Sequence, residues 1–115
     1  MGGTGAGLEM QFTNFETCRM IPANHPSLDG HFPGLPIVPG VVILDEVAAA
    51  LAEWQKDCQL LGMRVVKFVQ PLKPARPFTI SLAAISGTEK EIDFSCRVEG
   101  RVFVEGRLEI NRSVA

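Results

Sequence analysis

GHFPGLPIVPGVVILDE, residues 30–46, is the stretch on which the fold turns. Its first half belongs to a longer irregular segment: residues 21–40 hold five prolines (Pro22, Pro26, Pro33, Pro36, Pro39) and three glycines (Gly30, Gly34, Gly40). Proline fixes φ and removes a backbone donor, so neither a helix nor an interior strand fits there. An irregular stretch of that length inside a small domain is usually functional. At Gly40 the pattern changes. Residues 41–59 read as one helix, with Pro39–Gly40 marking its start and Gly62 its stop. Val41, Val42, Ile43, Leu44, Val47, Ala48, Ala49, Ala50 and Leu51 make its first three turns apolar nearly all round. Such a helix must be covered on most sides. Beyond Glu53, the residues Gln55, Lys56 and Asp57 turn one side to water.

On either side of this stretch the sequence reads as strands. Residues 10–20, with Phe12, Phe15 and Thr17, form the first, and residues 63–70, 78–85, 91–98 and 101–110 the others. PLKPARP (residues 71–77) bends the chain, while Gly87 and the pair Glu99–Gly100 mark hairpin turns. Five strands and one apolar helix predict an α+β fold with the helix lying on an antiparallel sheet. One sheet covers one side of that helix. A homodimer that pairs sheet edges or packs helices together supplies the remaining cover and hides the edge strands.

The length of 115 residues suits a single domain, assigned to residues 10–112, and 46% hydrophobic residues supply its core. Residues 1–9 are expected to be a flexible N-terminal segment. The glycines of MGGTGAG do not make a nucleotide loop, which must follow a strand and open a helix, nor does this start have the basic and apolar parts of a leader. A net charge of −2 argues against broad nucleic-acid binding. Cys18, Cys58 and Cys96 show no metal-binding spacing and read as reduced, partly buried thiols of a cytoplasmic protein. The longest apolar run, residues 41–52, is broken by Asp45 and Glu46 and falls short of the roughly 20 residues that span a bilayer. No membrane, metal or cofactor is expected.

Three residues can do chemistry. His31 sits between a glycine and an aromatic, followed by Pro33 and Gly34, so it costs little entropy to orient, as general-base work requires. Its plainer reading is a histidine that hydrogen-bonds to hold the loop. Asp45 lies inside the apolar part of the helix, roughly 7.5 Å from its start. A carboxylate there is expected to be partly desolvated, which raises its pKa; the plainer reading is an exposed acid favouring the helix dipole, which also suits Glu46. Adjacent helical acids point about 100° apart, so one of the two faces any given cavity. Gly40 places unpaired N–H groups at the positive end of the helix, where they can hold an oxygen that gains charge, or can be an ordinary helix start.

Together, His31-Phe32-Pro33-Gly34-Leu35-Pro36-Ile37-Val38-Pro39-Gly40-Val41 resembles the signature of the 3-hydroxyacyl-[acyl-carrier-protein] dehydratases. Residues 24–30, 67–74 and 98–108 are also similar to them, so the resemblance covers residues 12–110. It implies the hot-dog fold, an antiparallel sheet wrapped around one long helix, working as a homodimer or higher homo-oligomer. It implies that His31 is the catalytic histidine, that the Gly40 N–H polarises the thioester carbonyl, that the Ile37 carbonyl orients the histidine and that Asp45 is the catalytic acid. The acid is aspartate in the dehydratase/isomerase branch and glutamate in the other. Histidine and acid then meet from different subunits. The implied reaction removes water from a 3-hydroxyacyl thioester to leave a trans-2-enoyl thioester, in fatty acid or polyketide-type synthesis. Ala49 stands where these dehydratases usually carry glutamine, and Val38 where methionine is common.

The implied partner is an acyl carrier protein, which is acidic. Arg64, Lys67, Lys73 and Arg76 are candidates to receive it, or else form a solvated face. Phe32, Leu35 and the helix face that includes Val41 line an acyl tunnel or belong to the core. Two other functions fit a hot-dog chain: an acyl thioesterase, and a non-catalytic acyl-binding subunit. The first usually lacks the HFPG histidine, and the second is expected to have lost one of the two catalytic groups.

Overall fold

Five strands and one helix alternate their burial so that a single apolar layer forms between them. A computed structural model describes residues 14–28 and 36–112. The elements are β1 (Asn14–Arg19), a single 3₁₀ turn (Pro26–Leu28), α1 (Gly40–Trp54), β2 (Cys58–Phe68), β3 (Phe78–Ala84), β4 (Glu91–Val98) and β5 (Arg101–Arg112). The strands form one sheet in the order β1-β3-β4-β5-β2, antiparallel throughout. The helix is therefore the connection between the two edge strands, and it crosses one face of the sheet to reach from one to the other.

Ile43, Val47, Ala50 and Leu51 recur at helical spacing and form the buried face of α1. They meet the inward residues of the sheet: Ile80 and Leu82 on β3, Ile92 and Phe94 on β4, Leu108 and Ile110 on β5. The register sets Ile80 opposite Cys96 and Cys96 opposite Val104, so one apolar row runs across three strands. The outward residues alternate with these. Glu16, Ser81, Ser95, Glu105 and Lys67 line up across the other face through the pairs 16–81, 81–95, 95–105 and 67–105. Glu99 and Gly100, both at positive φ (50° and 80°), close β4 onto β5 in a two-residue turn whose twist matches the strands.

Two sequence expectations are corrected. The helix ends at Trp54, not residue 59, and β2 begins at Cys58, not residue 63. Gln55 leaves helical geometry (φ −127°, ψ 87°), and its N–H closes the last turn on the Leu51 carbonyl at 2.8 Å. No glycine or proline marks this boundary. What decides it is the length of β5: Arg112, Asn111 and Ile110 offer a ladder to Cys58, Gln59 and Leu60. Nor is Gly62 a helix stop. It lies inside β2 at a register shift, with Leu61 the extra residue of a bulge. A second shift falls between Arg64 and Lys67, where Val65 takes a positive φ of 54°.

Candidate active site

The candidate site lies at the start of α1. The Val38 N–H donates to the Leu72 carbonyl at 2.9 Å, and both side chains are buried, so the approach to the helix is fastened to the loop after β2. Pro39 occupies the N-cap position and supplies no side-chain cap. The Val42 N–H turns back on the Pro39 carbonyl at 3.0 Å, but the N–H groups of Gly40 and Val41 meet no acceptor among the described residues. These are the orphan donors at the positive end of the helix.

Gly40 borders a groove of about 490 Å³, together with Ile37, Val38, Ile43, Phe68 and Leu72. The ring of Phe68 lies against it. A Cβ on residue 40 would stand 2.8 Å from Cζ of Phe68, so a larger residue there must displace the ring. Phe68 carries no role in the sequence reading. Its segment, residues 67–74, is one of the resembling stretches, but only the tertiary contact shows that its ring is a wall of this groove.

Asp45 follows at the second turn and is exposed. The desolvation expected for it is not supplied by its own chain. The reason is rotational: at about 100° per residue it points some 200° away from Ile43, opposite the buried face. Val41 (65% exposed), Ala49 and Ala52 share its side of the helix and are exposed too. Asp45 is thus the carboxylate of an otherwise apolar stripe. It makes no ion pair among the described residues. Glu46, its neighbour, is engaged elsewhere: Arg19 on β1 donates from Nε to Glu46 Oε1 at 3.0 Å and from Nη2 to Glu53. Sequence reasoning did not find Arg19. The seven-residue spacing of Glu46 and Glu53 was legible, but their shared partner lies on another element.

His31, Phe32 and Leu35 lie outside the described residues. The four cations do not form one free patch. Arg64 lies 3.3 Å from Glu91 and 3.9 Å from Glu109, and Arg76 lies 3.2 Å from Glu99. Lys67 and Lys73 are exposed and make no ion pair among the described residues. A larger hollow of about 630 Å³ lies on the outer face of the sheet, bordered by Glu16, Ser81, Asp93, Arg97 and Glu105, away from α1. No group of metal-ligating side chains is assembled among the described residues, and no helix among them is long and apolar enough to cross a membrane. The thiols are free: Cys18 is exposed rather than partly buried, Cys58 is half-buried, and burial pushes the Cys96 thiol up to about 12.

A single helix carried across a five-stranded antiparallel sheet, with its N-terminus open on a groove, is the hot-dog fold. The ApeI-like family profile, described as ApeI dehydratase, matches residues 9–107, and the chain belongs to this family. A 3-hydroxyacyl-[acyl-carrier-protein] dehydratase FabZ of Chlamydia trachomatis serovar L2 is 34% identical over 100 residues, covering 76% of this chain and 65% of the relative. The FabZ of Geobacter metallireducens is 34% identical over 101 residues, covering 76% and 67%. The chain thus spans about two thirds of the length of these relatives. The dehydratase heterocomplex ApeI:P from Xenorhabdus doucetiae superposes with a TM-score of 0.75 at 19% identity, covering 87% of this chain and 88% of that one. An acyl-CoA hydrolase from Staphylococcus aureus superposes with a TM-score of 0.71 at 10% identity, covering 91% and 66%. At these identities the two structures speak for the fold alone.

Proposed function

We propose that this protein dehydrates 3-hydroxyacyl thioesters carried on acyl carrier protein to trans-2-enoyl thioesters. The observation that carries the reading is the division of labour on α1. Glu46 is held by Arg19, and Asp45 is left open on the helix whose uncapped start, at Gly40, borders the groove. In this reading the thioester carbonyl accepts a hydrogen bond from the Gly40 N–H. His31 takes the proton from C2, and negative charge builds on the carbonyl oxygen, where the helix start stabilises it. The C3–O bond breaks as Asp45 delivers a proton to the departing hydroxyl, so water leaves and a C2–C3 double bond forms. The proton held by His31 then returns to Asp45 through solvent, and both groups are reset.

The proposal includes a homodimer. The face of α1 around Asp45 is apolar and uncovered, and the edge strand β2 exposes Leu61 (63%), Val65 (77%) and Phe68 (47%). A second copy packed here removes both apolar surfaces from water and supplies the desolvation that Asp45 lacks in one chain. His31 of one copy and Asp45 of the other then complete each site. The test is to incubate the protein with a 3-hydroxyacyl carrier protein and weigh the product. Loss of one water supports the dehydratase; release of a free acid identifies a thioesterase instead; an unchanged substrate refutes both.

A further inference from the structure

The proposed acid has a neighbour that the mechanism does not use. Glu46 and Glu53 are seven residues apart, so they lie within about 20° of one another on α1, both roughly 90° round the axis from Asp45. Arg19, on the edge strand β1, reaches both. Its Nε donates to Glu46 Oε1 at 3.0 Å, its Nη2 to Glu53 and its Nη1 to Thr17 Oγ1 at 2.9 Å. The Arg19 side chain is only 20% exposed, against 33% for Glu46 and 49% for Glu53. One planar guanidinium therefore holds two turns of the helix at fixed points, and a fork of this kind fixes orientation as well as distance.

We propose that Arg19 is a positioning residue for the dehydration: by clamping Glu46 and Glu53 to β1 it sets the rotation of α1 about its axis, and with it the direction of Asp45. The inference rests on Asp45 being the acid. The helix needs such a device because its other contacts are not directional. The buried face of α1 is Ile43, Val47, Ala50 and Leu51, and apolar packing tolerates small rotations. The clamp also keeps the Glu46 carboxylate from swinging towards the stripe that holds Asp45.

The experiment compares kcat and KM for the full chain and its variants, on the 3-hydroxyacyl carrier protein that the unmodified chain dehydrates fastest, with melting temperature measured on each. Arg19→Gln is expected to lower kcat about tenfold with KM within about twofold, because a misaimed acid is felt in the transition state and not in binding. Glu46→Ala, a surface change that leaves Arg19 paired with Glu53 and Thr17, is expected to lower kcat in the same way should Arg19→Gln fold poorly. Glu53→Ala, two turns beyond Asp45, should lower it less. A role in stability alone predicts instead losses that track melting temperature and vanish when rates are corrected for folded protein. Wild-type kcat in Glu46→Ala, or losses that track melting temperature, would overturn the inference while leaving the function standing. Full dehydration by Asp45→Asn would remove Asp45 as the acid and this inference with it, leaving the function standing, whereas a substrate that the unmodified chain leaves unchanged would remove the function itself.

Discussion

Adding one methyl group at Gly40 tests the geometry of the groove most directly. Alanine suits a helix at least as well as glycine, and residue 40 has helical geometry, so the backbone does not object. The objection comes from Phe68. The new Cβ would stand 2.8 Å from Cζ, 3.2 Å from Cε1 and 3.3 Å from Cε2, whereas ordinary contact begins near 3.4 Å. The ring must retreat by more than half an ångström, which it does by turning about its side-chain torsions at the border of the groove. A side chain pushed about 30° off its rotamer costs about 0.5–1.5 kcal/mol. The helix gains up to about 1 kcal/mol from replacing glycine. Stability is therefore expected to change by less than about 1 kcal/mol. Activity should not be spared under the proposed mechanism: the methyl group stands beside the N–H assigned there to the thioester oxygen, and an ångström of misplacement costs about 100-fold in rate. Gly40→Ala should thus lose about two orders of magnitude in kcat/KM for a 3-hydroxyacyl carrier protein while its melting temperature holds. Wild-type activity in this variant would refute the assignment of the groove, and so would a loss of activity that merely follows a loss of folded protein.

Asp45→Asn should lower kcat about 100- to 10,000-fold, the usual range for a general acid, and leave the chain folded, because asparagine nearly matches aspartate in size and Asp45 makes no ion pair among the described residues; a chemical denaturation curve beside the kinetics checks both. The three thiols should separate with a thiol reagent at pH 8: Cys18 reacts fast, Cys58 more slowly because burial raises its pKa against the pull of Arg112, and Cys96 only after unfolding. The Cys96 thiol is raised from 9.0 to about 12 in the folded chain, so above pH 9 the unfolded state loses a proton that the folded state keeps. Stability should then fall with rising pH between about 9 and 12, and Cys96→Ala should flatten that slope. Leu61→Asp, at an exposed apolar position of the edge strand, should shift the mass in sedimentation equilibrium from dimer towards monomer and reduce activity in parallel; a monomeric wild-type chain with full activity would contradict the shared site.

The sequence by itself determined those features that local chemistry dictates. Pro39–Gly40 marks the first turn of α1 because proline has a fixed φ and no N–H to continue a helix backwards, and the structure starts the helix at Gly40. Alternating apolar residues and the Glu99–Gly100 turn were enough to place β3, β4 and β5, and the motif named Asp45 and His31 as candidates. The other end of the helix was not legible, because Gln55 to Gln59 carry no breaker and their structure is chosen by a partner strand some fifty residues away. The same holds within the site. Sequence spacing says that Asp45 and Glu46 point about 100° apart, but not which of them is free. That was decided by the sheet that covers Ile43 and Val47, and by Arg19 reaching across from β1. Phe68 against Gly40 is of the same kind: two residues far apart in the chain, brought into contact by packing that no local rule contains.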